Sequence, residues 1–275
     1  MIKLIASDMD GTFLNPQGDY DKVRFQQLLD QLTEKNIIFV VASGNRLERL
    51  TTMFSGISGT IDYVAENGAL VIDKGEVLER KTLPEHLVDE VVEFFADKLQ
   101  TYRVTLSGIK ASYVLKGTIF ELNSHLISQA ELHQIFSTLV FLEDLTERPK
   151  DQIVKITMMI NSDEVDEVTR RFNQQFQGSL RAVASGFGAV DIIQTGIHKA
   201  WGLQALMTKY GISSEEIAVF GDGGNDIEML KLAKHSFAVA NAPQEIKDVA
   251  RYTIPSNAEN SVLAIIEKII AGEIG

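Results

Sequence analysis

The chain contains no cysteine, which excludes disulfides, zinc–thiolate sites and thiol nucleophiles together. It also lacks any stretch approaching the ~20 apolar residues that a membrane helix requires. The opening Met1-Ile-Lys-Leu-Ile-Ala-Ser-Asp8 is apolar only briefly before it meets a carboxylate. It has neither the apolar core nor the cleavage site of a signal peptide. A cytoplasmic protein with no membrane partner is the expectation. Positive charge is short as well: 26 Lys and Arg stand against 38 Asp and Glu, a formal net charge of −12. A diffuse negative field repels phosphate backbones, so nucleic-acid partners are disfavoured. It repels anionic metabolites too, and a phosphate site must overcome that locally, as a bound divalent cation would. The five histidines show no metal-ligand spacing, and no repeats or low-complexity tracts occur.

What is present is a chain of 275 residues, 45% hydrophobic and 23% charged, the profile of a globular protein of one large or two ordinary domains. Lys3 to Ser7 reads as a short buried strand ending at Asp8. Val23, Phe25, Leu28, Leu29 and Leu32 recur at helical spacing between about Asp21 and Lys35, and Ile37-Ile-Phe-Val-Val41 follows as a wholly apolar strand. Strand, helix and doubly apolar strand point to a parallel sheet covered on both faces. The same grammar returns in the helix from about His198 to Tyr210, the strand Ile217-Ala-Val-Phe220, a helix from Ile227, the strand Phe237-Ala-Val-Ala240, a helix after Pro243 and a last helix over about 259–271. The middle differs. Strands are expected at 102–107, 111–116, 138–142, 153–160 and 189–193, with helices at about 84–99 and 163–176. The short break Ser107-Gly-Ile-Lys110 implies an antiparallel hairpin. The expected fold class is α/β: a Rossmann-like doubly wound parallel sheet core (1–83 and 189–275) with an inserted α+β cap domain (84–188). The edges are set at Leu83-Pro84 and at Gly186-Phe187-Gly188, where Pro and Gly can act as hinges.

Four segments carry chemistry. Asp8-Met9-Asp10-Gly11-Thr12 directly follows a strand, and α/β folds bind ligands at the carboxyl ends of their strands. Carboxylates at i and i+2 of an extended chain face the same way, so one can attack a phosphoester while the other handles protons. An acidic turn or a calcium loop is the alternative, but an EF-hand glycine stands sixth, Gly11 stands fourth, and no Glu closes the loop. Val40-Val-Ala-Ser43-Gly44-Asn45-Arg46 again joins a strand to an expected helix start, where Ser43 serves as cap, as phosphate cradle, or as both. Lys199 alone reads as a surface lysine, yet a cation at a helix start is mildly unfavourable and suggests an anion nearby. Finally, Val219-Phe-Gly-Asp222-Gly-Gly-Asn225-Asp226 delivers carboxylates among glycines, a donor set suited to Mg²⁺. A calcium-binding glycine-rich repeat would recur in tandem, and this one is single. Converging on one sheet edge, the four segments form a phosphoryl-transfer kit.

These residues resemble the haloacid dehalogenase superfamily, and within it the Cof-type phosphatases with a type IIB cap. The likeness covers essentially the whole chain. It rests on Asp8-Met-Asp-Gly-Thr, Ser43-Gly44, Glu66-Asn67-Gly68-Ala69, Lys199, Gly221-Asp222-Gly-Gly-Asn225-Asp226 and Asn241-Ala242. Several stretches, among them Phe39-Val-Val-Ala-Ser-Gly-Asn45 and Gly196-Ile-His-Lys199, are similar to bacterial sugar phosphatases of that group. The resemblance implies that Asp8 is the nucleophile and Asp10 the acid/base. It implies Mg²⁺ held by Asp8, Asp10 (through its carbonyl) and Asp222, with Asp226 steadying the metal shell. Phosphate contacts fall to Ser43, Gly44, Lys199 and Asn225, and Asn45 is placed with them. Many relatives carry Arg directly after the glycine matched by Gly44; this chain has Asn45 and then Arg46, a departure bearing on substrate choice.

The expected activity is Mg²⁺-dependent hydrolysis of small phosphate monoesters, sugar phosphates by resemblance, through an aspartyl phosphate. The cap is expected to close over the crevice and exclude water. Tyr113, His125 and Phe187 are candidate readers of the leaving group, each of which also reads as a core or surface residue. One of Met158 and Met159 is expected in a core, since strand neighbours face opposite ways. Two alternatives stand beside the phosphatase: a phosphomutase of the same fold, returning the phosphoryl group to another hydroxyl, and a non-catalytic sugar-phosphate sensor.

Overall fold

A computed structural model of the chain describes residues 1–120, 138–186 and 188–275. Among them, five strands come first: β1 (Leu4–Ser7), β2 (Ile38–Ala42), β3 (Asp62–Ala65), β4 (Leu70–Asp73) and β5 (Glu76–Arg80). Six follow in the middle of the chain: β6 (Thr105–Gly108), β7 (Ser112–Leu115), β8 (Leu139–Leu142), β9 (Ile153–Met159), β10 (Leu180–Gly186) and β11 (Ala189–Gln194). The last three are β12 (Ile217–Gly221), β13 (His235–Val239) and β14 (Tyr252–Ile254). The chain divides into two compact units, Met1–Arg80 with His198–Gly275, and Lys81–Ile197. None of the described helices is long and apolar enough to cross a membrane.

The first unit is built on an eight-stranded sheet ordered β14-β13-β12-β1-β2-β3-β4-β5. From β14 to β3 every pairing is parallel, and β1, β3 and β12 are buried along their whole length, as a sheet covered on both faces requires. The helices Lys22–Glu34 and Ser261–Ile270 pack against each other, and Lys199–Tyr210, Ile227–Leu232 and Gln244–Val249 form a second group. Asp21 caps the first of these helices, its side chain accepting from the Arg24 amide. At one edge the sheet turns antiparallel through β4 and β5, a hairpin closed by Lys74 and Gly75 at φ 51° and 84°. Positive φ at both central residues matches the right-handed twist of the flanking strands.

The second unit carries a six-stranded sheet ordered β10-β11-β9-β6-β7-β8, antiparallel except for the β7–β8 pair. The hairpin expected at Ser107–Lys110 is β6–β7. β6 begins only at Thr105, because Arg103 sits at φ 50° and interrupts the extended chain. The helices Glu85–Phe94 and Val165–Gln175 supply an apolar core of their own, in which Phe172 stacks on Phe95 and Phe176. Met158 is fully buried there. The second boundary set from the sequence is corrected here. Residues 189–197 do not start the returning core segment: β11 pairs with β10 and β9, so that edge lies between Ile197 and His198. Gly188 is a turn within the insert's sheet instead of a hinge at its exit. The first edge likewise falls at Arg80, just ahead of Leu83-Pro84.

One close packing fixes where the site's lysine can stand. Gly202 lies in the helix Lys199–Tyr210, and a Cβ on it would come within 2.5 Å of Val64 Cγ1 and 3.3 Å of Val71 Cγ2. In a free helix Gly→Ala gains about 1 kcal/mol. Here both contacts are branched side chains on strands, which cannot swing away, and overpacking costs about 1–3 kcal/mol. Gly202→Ala is therefore expected to lower the denaturation midpoint rather than raise it, and to reduce activity by pushing Lys199 off the sheet. Chemical denaturation and a turnover assay on the same preparation check both effects.

Candidate active site

β12, β1 and β2 are adjacent and parallel, so their carboxyl ends open on one edge of the sheet. Strand order reverses at this point, the position where open α/β sheets leave a crevice for ligands. Asp8 follows β1, Ser43 follows β2 and Asp222 follows β12. The backbone stitches them down: the Asp8 amide donates to the Phe220 carbonyl at 3.0 Å and the Ser43 amide to the Val64 carbonyl at 2.9 Å. After Asp8 the chain turns sharply over Met9–Phe13, with Gly11 at φ 82°. A Cβ at Gly11 would lie 2.4 Å from Asp222 Oδ2, so both conformation and space call for glycine. Phe13 anchors the far end of this turn in an aromatic cluster, its ring centroid 5.1–6.0 Å from those of Tyr20, Phe25, Phe39 and Phe54.

Lys199, read from the sequence alone as a surface residue, is completely buried. Its Nζ donates to Asp8 Oδ1 and to Asp226 Oδ1, each at 2.6 Å. The expected compensating anion is thus two carboxylates. Asp226 uses its second oxygen to accept from the Asp222 and Gly223 amides, both at 2.9 Å. Thr12 donates its hydroxyl to Asp222 Oδ1 at 2.6 Å. Oxygen atoms of Asp8, Asp222 and Asp226 lie within 4.8 Å of one another.

Burial pushes the Asp8 carboxyl well above the ordinary range; Lys199 pulls it down, and Asp226 and Asp222 push it further up. Asp222 is raised to about 6, first by burial and then by Asp226, with the Thr12 hydroxyl opposing. Burial works against the Lys199 charge, but Asp226 and Asp8 more than offset it and hold the ammonium above its usual value. Three carboxylates against one ammonium leave two negative charges, the complement of one divalent cation. An all-oxygen donor set selects a hard ion such as Mg²⁺. The residues present therefore fit the metal that the sequence implied.

Asp10 lies within the turn. Its Oδ2 accepts from Asn45 Nδ2 at 2.6 Å and its Oδ1 from Arg49 Nη2 at 3.2 Å. Ser43 is not a helix cap: the helix runs Leu47–Met53 with Arg46 ahead of it. The Ser43 hydroxyl instead accepts from the Asn45 amide at 3.2 Å and from Asn45 Nδ2 at 3.1 Å. This makes a polar loop of Ser43, Gly44 and Asn45 beside the acidic turn. Asn225 donates to Asn67 Oδ1 at 3.0 Å, and the Asn67 amide donates to the Ser43 carbonyl at 3.0 Å. Asn67 so ties the Asp222–Asp226 loop to the Ser43 loop.

Several members of this network have no role assigned from the sequence. Arg49 has no signal there at all. Asn67 and Asn241 stand in motifs that carry the family resemblance but without a role; Asn67 stands with Glu66 at positive φ, 56° and 51°, and the Asn-Gly dipeptide is the signal for such a turn. Asn241 donates to the Gly11 carbonyl at 2.8 Å and accepts from the Asn257 amide at 3.0 Å, while Asn257 donates to the Leu14 carbonyl at 2.7 Å. These two asparagines hold the turn from outside. Of the candidate leaving-group readers, Tyr113 is buried in the second unit's core and donates its hydroxyl to Asp151 at 3.0 Å. It is a packing residue. His125 and Phe187 lie outside the described residues.

Comparison with known proteins agrees with this architecture. A family model described as haloacid dehalogenase-like hydrolase matches residues 5–266. The 5-amino-6-(5-phospho-D-ribitylamino)uracil phosphatase YbjI of Escherichia coli is 34% identical over 272 residues, covering 99% of this chain and 97% of that protein. The HMP-PP phosphatase of Cronobacter sakazakii is 24% identical over 266 residues, covering 96% and 94%. Among solved structures, SMU.1108c from Streptococcus mutans superposes with a TM-score of 0.88 at 37% identity, over 98% of this chain and 100% of that one. The chain belongs to the haloacid dehalogenase-like hydrolases, as a Cof-type phosphatase.

Proposed function

We propose that the protein hydrolyses small phosphate monoesters, sugar or polyol phosphates by class, with Mg²⁺ and through a phosphorylated Asp8. The observation that carries this reading is Lys199 Nζ buried at 2.6 Å from both Asp8 and Asp226, with Asp222 in the same cluster. A structural ion pair needs one partner for each charge, whereas this cluster has an excess of anions at a sheet switch point. The relative YbjI is named for a substrate bearing a phosphoribityl group, which falls within the proposed class.

Mg²⁺ held by Asp8, the Asp10 carbonyl and Asp222 would cancel the repulsion between the Asp8 carboxylate and the phosphate dianion. Lys199 fixes the Asp8 carboxylate, so that one oxygen meets phosphorus in line. The Asp8 O–P bond forms as the ester P–O bond breaks, and Asp10 gives its proton to the departing oxygen. Asp10 then takes a proton from water, whose oxygen attacks the aspartyl phosphate. Inorganic phosphate leaves and Asp8 is restored as carboxylate. Ser43, Gly44, Asn225 and Lys199 hold the transferring oxygens, the Asn45 donors being taken up by Ser43 and Asp10, and Asp226 keeps Lys199 and the Asp222 loop in place.

A phosphate-release screen over sugar and polyol phosphates, with and without Mg²⁺ and without any bisphosphate activator, tests the reading. Asp8→Asn should fall to the blank level while keeping the wild-type thermal midpoint. Turnover by that variant, or none by wild type without a bisphosphate, refutes the assignment. A second outcome concerns pH. The folded value for Asp222, about 6, lies above its ordinary 3.8. Its proton therefore favours the ion-free fold at low pH, and that contribution is lost as pH rises through about 6. Mg²⁺ competes with the same proton, so its apparent affinity should drop by about tenfold per pH unit below about 6. Calorimetric titration checks the affinity, and thermal shifts should show Mg²⁺ stabilising the protein more at about pH 7.5 than at about pH 5.

A further inference from the structure

Asp10, Asn45 and Arg49 close a ring of hydrogen bonds. Asn45 Nδ2 donates to Asp10 Oδ2 at 2.6 Å, Arg49 Nη2 to Asp10 Oδ1 at 3.2 Å, and Arg49 Nη1 to Asn45 Oδ1 at 2.5 Å. Asn45 is itself pinned, through Ser43 Oγ and through its own carbonyl, which accepts from the Glu66 amide at 3.1 Å. Arg49 approaches from the helix Leu47–Met53, one turn beyond Asn45. Its side chain is 25% exposed and that of Asp10 37%. An ion pair this open to solvent adds little to stability. A planar guanidinium using two donors on two acceptors does something else: it fixes the plane and rotamer of what it holds. Each Asp10 oxygen keeps a second lone pair, so the clamp and a carboxyl proton coexist.

We infer that Arg49, together with Asn45, is the positioning residue of Asp10, holding the acid/base carboxyl in the one orientation from which its proton reaches the ester oxygen. This rests on the acid/base reading of Asp10 proposed above. Arg49 then contributes to cleavage of the ester bond and little to phosphate binding. Its importance should scale with how much the leaving group needs a proton. An alkyl ester departs as a poor alkoxide unless protonated, whereas p-nitrophenolate departs unaided.

The test compares kcat/KM, which reads steps up to phosphoryl transfer onto Asp8, for the best alkyl phosphate of the screen and for p-nitrophenyl phosphate. Arg49→Met should lose about 100-fold on the alkyl ester and less than about 5-fold on the aryl ester, with KM nearly unchanged. Arg49→Lys, which keeps the charge but not the fork, should fall between. Equal losses on both esters overturn the inference, as does a rise in KM alone, which would make Arg49 a phosphate ligand. Asp10→Asn is run in parallel. If it lacks the leaving-group selectivity, the acid/base reading itself fails; if it shows selectivity and Arg49→Met does not, only the positioning role fails. Should Arg49→Met not fold by circular dichroism, Arg49→Lys and Asn45→Ala carry the same comparison.

Discussion

The Lys199 ammonium, shared between Asp8 and Asp226 at 2.6 Å each, is the contact on which the rest of the site depends. Its side chain is wholly buried, as is that of Asp226, so removing the lysine leaves two carboxylates uncompensated in a poorly solvated place. The three residues come from three separate segments of the chain. The cluster can therefore exist only when β1, β12 and the helix Lys199–Tyr210 are all docked. Burial, with the neighbouring carboxylates adding to it, raises Asp8 and Asp222, and the excess negative charge is the complement of a divalent cation.

Backbone geometry supplies the precision. Gly11 bends the chain away just after Asp10, with Asp222 filling the space a Cβ would take. Asn241 and Asn257 hold the turn by its carbonyls, and Phe13 anchors it in a cluster of five aromatic rings. Asp10 has neutral and cationic donors, Asn45 and Arg49, whereas Asp8 has a lysine and two acidic neighbours. Two carboxylates two residues apart thus meet opposite surroundings.

The second unit has its own sheet and its own aromatic core, and its parts were only partly readable. β6, β7, β9 and β11 stand out as apolar runs, and the Ser107–Lys110 break gives the hairpin. β10 does not, because Leu180-Arg-Ala-Val-Ala-Ser-Gly186 has neither strict alternation nor an apolar block. Without β10 the sequence shows no partner for β11, and the insert reads as ending one strand early. The β4–β5 hairpin escaped for a related reason: β5, Glu76-Val-Leu-Glu-Arg80, is mostly exposed and reads as a polar loop.

What the sequence by itself determined was the set of parts. Apolar strands ending in Asp8, Ser43 and Asp222 announce where chemistry gathers, because an abrupt carboxylate or hydroxyl after a buried run is intelligible only at a strand's carboxyl end. The glycines beside them mark turns by their freedom in φ. Tertiary structure decided who meets whom. Lys199 looks like any surface lysine until Asp8, 191 positions away, and Asp226 enclose it. Arg49 carries no local signal, and its partner Asp10 lies 39 residues back. Local pattern records the periodicity of one segment. Pairing of charges across segments is settled by strand order and helix docking, which depend on the packing of the whole core.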